Sequence, residues 1–444
     1  MAKKVIIIGA AGRDFHDFNV LFREDPEYEV VAFTASQIPG IAGRIYPKEL
    51  SGKRYPKGIK IFNESELPNL IKRFKADLCV QAYSDLSYNT VMEKSSVVNA
   101  SGADFLLIAP ERTMIKSKKP VIAICAVRTG AGKSQTTRYI SNILRESGLR
   151  VAVIRHPMPY GLLKDQIVQR FATMQDLAKN KCTIEEREEY EPHIKNGFTV
   201  FAGVDYEKIL RAAEKEADVV LWDGGNNDTP FIKPDMLITI ADPLRVGDEL
   251  TYYPGETAAR IADVIVVNKS NTATKEQLAQ LNHNLKEINK KAEIIMADSV
   301  VIPDNKRIIS GKRVLVIEDG PTITHGGMKF GAGTVVAKEF GAKQIVDAKP
   351  KALGTIRDMY DKYPNLGAEL PAVGYSPKQI NDLQNTVNNV DCDLVISATP
   401  IDIRKLIVVD KPIVQVGYEL KPRNSRFDSI VKAFASKASK RRTR

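Results

Sequence analysis

A loop between an apolar run and a helix-forming run constrains the fold of this chain more than any other feature. Residues 123–140 read AICAVRTGAGKSQTTRYI, with small residues and a Gly-Lys-Ser ending after the apolar run. In such a loop the backbone N–H groups can turn inward around a phosphate, with the N-terminus of the next helix behind them. The stretch therefore predicts a working phosphate-binding loop within an α/β fold.

The residues of this loop each have a chemical role. We expect Lys133 to reach the β- and γ-phosphates of a nucleotide and Ser134 to bind Mg²⁺. The other expected nucleotide contacts in the loop are Thr129, Gly130, Ala131, Gly132 and Gln135. The small residues among them let the backbone approach the phosphates closely.

The first half of the loop departs from the usual pattern. Val127 stands where that pattern has its first glycine, and the basic Arg128 follows it. This variant resembles the loop of the dethiobiotin-synthetase and MinD-like branch of P-loop proteins. In MinD-like members a lysine at the position of Arg128 reaches the nucleotide of the other subunit, so the resemblance implies a homodimer. A loop charge in solvent is the alternative for Arg128.

The pattern of the whole chain predicts several domains. Strand-like runs alternate with helical patterns from end to end, as in mainly parallel sheets with crossover helices. A chain of 444 residues is also too long for one ordinary core. We expect three-layer α/β domains: a Rossmann-like domain at 1–118, a P-loop nucleotide-binding domain at 119–305, and a substrate and closure domain at 306–444 that ends in a basic tail.

Net charge and cysteine spacing indicate which substrates, partners and cellular compartment to expect. The net charge of +11 suits a strongly anionic small substrate. The basic tail at 436–444 has no interleaved aromatic residues, so we expect a solvated end and no nucleic-acid partner. No apolar run reaches the roughly eighteen residues that a membrane span needs. The four cysteines are far apart, which indicates reduced thiols and a cytoplasmic protein, not a zinc site.

Two strand ends could complete a nucleotide site. Asp223 closes the apolar run DVVLWD, where a carboxylate can hold Mg²⁺, although the following glycines also favour a plain turn. Asn268 and Lys269 resemble the base-recognition motif of GTP-binding proteins, but Asn271 stands where that motif has aspartate. An amide cannot accept from both guanine N–H groups as a carboxylate does, so we expect adenine and hence ATP.

Basic side chains in four other segments are candidates for binding an anionic substrate. They are Arg13 and His16 after the first strand, Arg155 and His156 at the end of the strand after the P-loop helix, Arg245 before YYPGE, and His325 and Lys329 in THGGMKFGAG. Arg155 and His156 are expected at the edge of the sheet where α/β proteins bind ligands. Helix caps and strand-end charges are the alternative interpretations.

Together these stretches resemble the cyclic 2,3-diphosphoglycerate synthetase family over essentially the whole chain, notably in GRDFHDFN, RTGAGKSQTTR, YYPGE and THGGMKFGAG. The resemblance implies an ATP-dependent ligase that closes 2,3-diphosphoglycerate into a cyclic phosphoanhydride and releases ADP and phosphate. It implies ATP and Mg²⁺ as cofactors, with a monovalent cation left open. The residues expected to take part in catalysis are Lys133, Arg128, Asp223 and His325.

Two other classes of protein are compatible with the same motifs. One is a regulatory P-loop GTPase, such as a metal-insertion chaperone, which Asn268 and Lys269 favour and Asn271 opposes. The other is a non-catalytic module that binds coenzyme A or a nucleotide through the N-terminal domain. The glycine spacing of that domain, G-x-x-G without a middle glycine, is a weak fingerprint for such binding.

Overall fold

The computed structural model describes residues 2–35, 41–156, 161–225, 228–324, 327–372 and 376–442. Within them the chain is a mixed α/β protein with mainly parallel sheets, which confirms the predicted fold class.

The first part of the chain forms a six-stranded sheet. This part contributes strands β1 (Lys3–Ile8), β2 (Tyr28–Ala35), β3 (Ile45–Tyr46), β4 (Ile59–Asn63), β5 (Leu78–Gln81), β6 (Leu86–Ser87) and β7 (Asp104–Leu107), and helices α1 (Arg13–Asp17), α2 (Lys48–Ser51), α3 (Leu67–Phe74) and α4 (Tyr88–Ala100). The strand order is β3-β4-β2-β1-β5-β7, and only β3 runs antiparallel to its neighbour. Because β1 lies inside this sheet, the loop after it opens at the carboxyl edge of the parallel strands.

The middle part carries the phosphate loop. It contributes strands β8 (Val121–Ala126), β9 (Val151–Arg155), β10 (Gln169–Phe171), β11 (Thr199–Ala202), β12 (Val219–Gly224), β13 (Met236–Ala241), β14 (Tyr252–Tyr253), β15 (Val264–Val267) and β16 (Glu293–Pro303), and helices α5 (Lys133–Glu146), α6 (Met174–Lys179), α7 (Ile184–Lys195), α8 (Tyr206–Glu216), α9 (Gly255–Ile261) and α10 (Lys275–Ile288). Strand β14 leaves the main sheet and pairs with β6 of the first part.

The last part completes the structure. It contributes strands β17 (Arg313–Asp319), β18 (Gln344–Ile345), β19 (Leu370–Ala372), β20 (Leu394–Ala398) and β21 (Ile413–Pro422), and helices α11 (Gly320–Ile323), α12 (Ala332–Glu339), α13 (Gly354–Lys362), α14 (Pro377–Asn389) and α15 (Arg426–Arg442).

The middle and last parts share one continuous sheet of thirteen strands. Its order is β10-β11-β9-β12-β8-β13-β15-β16-β21-β20-β17-β18, with β19 also paired to β17. The two halves meet where β16 pairs antiparallel with β21, from Ala297 opposite Pro422 to Pro303 opposite Val416. The sequence did not indicate this junction, and the domain boundaries at 118 and 305 remain predictions.

Strand β8 lies at the centre of this sheet and holds the phosphate loop at its carboxyl end. Alternate side chains enter different cores: Ile122, Ile124 and Ala126 pack on one side, and Val121, Ala123 and Cys125 on the other. A parallel strand that is covered on both faces reads as an unbroken apolar run, which is why the sequence predicted it. Each buried Val or Ile stabilises the fold by about 1.5–3 kcal/mol.

The C-terminal residues differ from the expected solvated tail. Helix α15 packs on the P-loop helix α5 through Phe427, Val431, Ala435 and Ala438. Their spacing of three and four residues places them on one face of the helix, and Phe427 stacks on Tyr139 with 5.9 Å between ring centroids. The basic residues of the tail therefore belong largely to a helix that supports the phosphate loop.

Among the helices in the described residues, none combines the length and the apolar character that crossing a membrane requires.

Candidate active site

The phosphate loop has the backbone conformation that its sequence predicts. It joins β8 to α5, and both Gly130 (φ +79°) and Gly132 (φ +112°) occupy the left-handed region that favours glycine. A side chain at Gly132 would overlap the Asn268 amide and come within 2.6 Å of Gln135 Nε2. Glycine is therefore required at position 132, because other residues disfavour this φ and because any side chain would overlap its neighbours.

Three side chains from the strand ends beside the loop hold its carbonyl groups. Asn268 Nδ2 donates to Ala131 O at 2.8 Å, Lys269 Nζ to Gly130 O at 2.7 Å, and Arg245 NH2 to Thr129 O at 2.8 Å. With its carbonyls held from this side, the loop can turn its N–H groups toward a phosphate. These three side chains therefore support the loop, and in this structure they point at its backbone.

Asp242 ties two of these supports together. Its Oδ2 accepts from Lys269 Nζ at 2.9 Å and from Arg245 NH2 at 2.8 Å. Burial alone would raise the pKa of Asp242, but the charges of Lys269 and Arg245 hold it below its usual value. The sequence predicted Arg245 as a substrate ligand and Lys269 as a base contact, whereas both are engaged by Asp242 and the loop.

A substitution at Gly132 tests whether this loop conformation matters for nucleotide binding. We expect Gly132→Ala to weaken ATP binding about tenfold or more, because the strained backbone alone costs about 1–3 kcal/mol and the overlap with Asn268 adds to it. Isothermal titration with ATP measures the effect.

Gly148→Ala is the matched control for this experiment. Gly148 also has a positive φ of +78°, but an added Cβ would contact nothing within 4 Å. Equal loss of ATP affinity in both variants would mean that general destabilisation, and not the loop, is responsible.

Asp223 at the end of β12 is the centre of a buried network of charges. Four side chains contact its carboxylate: Lys133 Nζ at 3.2 Å and Thr137 Oγ1 at 2.8 Å on Oδ1, and Arg155 NH1 at 2.5 Å and His193 Nε2 at 3.2 Å on Oδ2. Lys133 Nζ also donates to the backbone oxygen of Asp223. Burial alone would raise the pKa of Asp223, but Arg155 and Lys133 hold it well below its usual range. The carboxylate is therefore ionised and fully partnered.

Donors of the chain already occupy the Asp223 carboxylate in this structure, and its direct binding of magnesium remains a prediction. Both of its oxygens already accept from cationic or hydroxyl donors, so a metal ion would have to displace Lys133 or Arg155. Within the described ranges no group of three or more His, Cys, Asp or Glu side chains could hold a metal ion. Ser134, half-buried at the second position of α5, remains the predicted protein ligand of a nucleotide-bound Mg²⁺.

The acidic helix α7 supplies two of the partners in this network. The sequence analysis did not select any residue of α7, yet Glu189 pairs with Arg155 and His193 with Asp223. Arg155 thus lies between two carboxylates and is 4% exposed. The unusual density of acidic residues in IEEREEYEP was the only available signal, and it did not single out His193.

The Arg128 side chain is buried and paired with carboxylates of its own chain. Its guanidinium pairs with Asp85 at 2.8 Å and with Asp248, and lies 3.6 Å from the ring centroid of Tyr252. These contacts connect the loop to the first part of the chain, next to the β6–β14 pair. A role at a partner's nucleotide would require this network to open, so the implied dimer remains a prediction.

Arg13 and His16 connect the first sheet to the middle part. Arg13 donates to Thr229 Oγ1 at 2.7 Å and lies over the Phe231 ring at 4.3 Å, and His16 stacks on the same ring at 4.3 Å. Burial, then the charge of Arg13, lowers the pKa of His16 to about 3, so this imidazole is neutral. Both side chains hold the two sheets together, and neither is a free anion ligand.

The glycine-rich segment after β17 lies close to the phosphate loop. A Cβ on Gly130 would be 3.2 Å from Thr322 Oγ1 of α11. His325 lies outside the described residues, and Lys329 is exposed. Thr322 therefore lies beside the phosphate loop.

The N–H groups of this segment already have an anionic partner. Glu318 accepts from the N–H groups of Gly331 (3.1 Å), Gly333 (3.1 Å) and Thr334 (2.8 Å), at the start of α12. Burial raises the pKa of Glu318 to about 7, although these N–H groups oppose the shift. The segment has the anion-binding backbone that its composition indicated, but a carboxylate of the chain occupies it.

His156 is held between the two sheets. A side chain at Gly12 or at Gly225 would overlap its ring, and its Nε2 lies 3.4 Å from Asp228 Oδ2. Burial, together with Lys133 and other nearby cations, keeps the pKa of His156 well below its usual value. The carboxyl ends of β1, β9 and β12 thus meet around a neutral imidazole beside the phosphate loop.

The described residues bring most of the predicted site together. The loop, Lys133, Asp223, Arg155 and His156 converge, with Thr322 on one side and α1 on the other. Gln135 is buried and its amide lies 3.3 Å from Ser299 Oγ. Chemically, the arrangement can hold a nucleoside triphosphate with its terminal phosphate directed toward Lys133 and Asp223.

The chain is similar in sequence to proteins that are named synthetases. The arginine synthetase ArcE of Thermococcus kodakarensis is 57% identical over 418 residues, which are 94% of this chain and 93% of that protein. The cyclic 2,3-diphosphoglycerate synthetase of Pyrococcus furiosus is 28% identical over 98 residues, 22% of each chain. No protein-family profile matches. Among solved structures, ATP-bound LpxK of Aquifex aeolicus gives a TM-score of 0.43 at 13% identity, over 83% of this chain and 99% of that one.

Proposed function

We propose, because this chain belongs to the family of the arginine synthetase ArcE, that it makes arginine in an ATP-dependent reaction. The observation that carries this proposal is the identity of 57% over nearly the full length of both chains. The phosphate loop with its buried Lys133 supplies the place for the nucleotide.

The chemistry of arginine indicates how ATP would be used. The guanidinium group differs from a ureido group, as in citrulline, by one nitrogen in place of oxygen. Transfer of the γ-phosphoryl group to the ureido oxygen breaks the bond to ADP and turns that oxygen into part of a leaving group. Ammonia then adds to the carbon, the C–O bond breaks, and phosphate departs with the third ammonia hydrogen. The reaction needs positioning and charge neutralisation more than a strong base.

The residues of the chain have distinct tasks in this reaction. Lys133 and the loop N–H groups bind the β- and γ-phosphates, and Asp223 orients Lys133 and Arg155. A Mg²⁺ ion carried by the nucleotide, with Ser134 as its protein ligand, would neutralise phosphate charge. The acceptor would bind next to His156, where the neighbouring aromatic side chains exclude water.

The pairing of the basic residues supports an amino-acid substrate. Each arginine that the sequence predicted as a ligand already has a carboxylate partner: Arg13 with Asp17, Arg155 with Asp223, and Arg245 with Asp242. A substrate with two phosphates would have to break several of these pairs, whereas an amino acid with a neutral or cationic head would not.

Cyclic 2,3-diphosphoglycerate synthesis is the second candidate. The shorter similarities to synthetases of that name in Pyrococcus furiosus and Thermococcus sibiricus favour it, together with the net charge of +11. It uses the same ATP site and differs in the acceptor. A homodimer and a cytoplasmic location go with either candidate as further proposals.

One assay separates the two candidates. With ATP, Mg²⁺, citrulline and ammonium, we expect arginine, ADP and phosphate in equal amounts, and no ADP when citrulline is left out. Chromatography quantifies arginine, and ³¹P NMR follows phosphate. A parallel tube receives 2,3-diphosphoglycerate in place of citrulline and ammonium. A cyclic anhydride resonance there, without arginine in the first tube, would replace the first candidate with the second, and ATP hydrolysis indifferent to either acceptor would exclude both.

A further inference from the structure

A cluster of buried carboxyl groups lies where the first sheet meets the phosphate loop. It consists of Asp14 on α1 together with Asp17 and Asp228, and we call it the Asp14–Asp228 cluster. Asp14 is 1% exposed and Asp228 is 7% exposed. Arg13 acts on Asp17 and Asp228, and Lys133 also acts on Asp228. Asp228 and Asp17 in turn both act on Asp14.

The Asp14 carboxyl is only half satisfied. Its Oδ2 accepts from the Ala11 N–H group, but its buried Oδ1 makes no hydrogen bond. Burial, with further contributions from Asp228 and Asp17, raises the pKa of Asp14 to about 8. A buried carboxyl oxygen without a partner costs free energy that a bound cationic donor would recover.

Other unsatisfied polar atoms lie beside this cluster. His156 Nε2, Tyr206 OH and Trp222 Nε1 are buried and make no hydrogen bond. The three rings are mutual neighbours, with centroid distances of 5.5–5.7 Å. They offer two donors and an aromatic wall, while the carboxyl groups offer acceptors. Such buried groups are usually paired in native proteins, so several together indicate a ligand.

The backbone at two glycine residues packs directly against these side chains. A Cβ at Gly224 would lie 2.8 Å from Trp222 Nε1, and one at Gly225 would overlap His156. The cluster also adjoins the phosphoryl-transfer network, because the charge of Lys133 acts on both His156 and Asp228. A group bound here would lie next to the terminal phosphate of a nucleotide in the loop.

We propose that the Asp14–Asp228 cluster, with His156, Tyr206 and Trp222, binds the planar nitrogen-rich head of the acceptor: the ureido group before the reaction and the guanidinium after it. A guanidinium offers planar N–H donors to carboxylates and stacks on aromatic faces. For the ureido group, the donors Trp222 Nε1 and Tyr206 OH face its oxygen. This inference rests on the proposed function and identifies the specificity-determining residues of that site.

Arginine binding to Asp14→Asn tests the inference. We expect the dissociation constant for arginine to rise about 10- to 100-fold, the loss typical of a charge-assisted hydrogen bond. The dissociation constant for ATP should change less than about threefold, since Asp14 is not part of the phosphate loop. Isothermal titration of the full-length protein measures both ligands. Asp104→Asn, at the exposed start of β7 on the opposite edge of the same sheet, is the matched control and should bind arginine like wild type.

Trp222→Phe is the second variant, in case Asp14→Asn does not fold. It removes the Nε1 donor together with part of the buried indole ring, and it should weaken citrulline binding more than arginine binding. If wild type makes arginine but both variants bind arginine and citrulline like wild type, the subsite is overturned while the proposed function stands. If wild type neither binds nor makes arginine, the proposed function fails, and this inference fails with it.

Discussion

Lys133→Ala is expected to lower the rate of ATP-dependent turnover about 100- to 1000-fold, the usual loss when one donor to a developing phosphate charge is removed. Burial lowers the pKa of Lys133 to about 8, even though Asp223 opposes the shift. A bound triphosphate would favour the charged amine and draw it from Asp223 to the β- and γ-phosphates. Steady-state release of ADP in the arginine-forming assay measures the loss.

A second lysine provides the control for this result. Lys275 is the first residue of the fourteen-residue helix α10, as Lys133 is of the fourteen-residue helix α5, but its side chain is exposed. Lys275→Ala should leave turnover unchanged. Turnover within threefold of wild type in Lys133→Ala, with an unchanged melting curve, would mean that the loop does not bind the reacting nucleotide.

Asp223→Asn is expected to destabilise the fold by about 3–5 kcal/mol, the range found when one partner of a buried ion pair is removed. The carboxylate accepts from Lys133, Thr137, Arg155 and His193 with two oxygens. An amide keeps one acceptor and turns its NH₂ group toward two of these donors. Urea unfolding followed by circular dichroism measures the free-energy difference.

Asp410→Asn is the matched change at the surface. The Asp410 side chain is 83% exposed and its pair with Lys411 spans 3.4 Å, so unfolding should match that of wild type. An Asp223→Asn variant as stable as wild type would mean that the buried cations are neutral or solvated, which contradicts the network.

The phosphate loop and the alternation of strands and helices were predictable from the sequence, because each depends only on residues that are close together in the chain. The phosphate loop follows from an apolar strand, glycines and a helix start, and the structure has all three around Gly130 and Gly132. The mainly parallel sheets follow from the alternation of strands and helices. These features need no knowledge of which distant segments pack together.

The partners of the charged residues were not predictable in this way. Arg155 meets Glu189, and Arg128 meets Asp85 and Asp248, through folding of segments 34, 43 and 120 residues apart. The sequence alone does not distinguish a strand-end basic residue that binds a phosphate from one that is paired with a carboxylate. Counting positive charge therefore favoured an anionic substrate, whereas the pairing favours an amino acid.

The junction of β16 and β21 has a mechanical consequence. Seven residue pairs join the nucleotide-binding half to the closing half, so these halves cannot swing apart without breaking a ladder of backbone hydrogen bonds. The first sheet is attached through the short β6–β14 pair and through side chains such as Arg13 and Arg128. Separating the first sheet from the thirteen-stranded sheet would therefore break fewer backbone hydrogen bonds between strands than separating the two halves at β16 and β21.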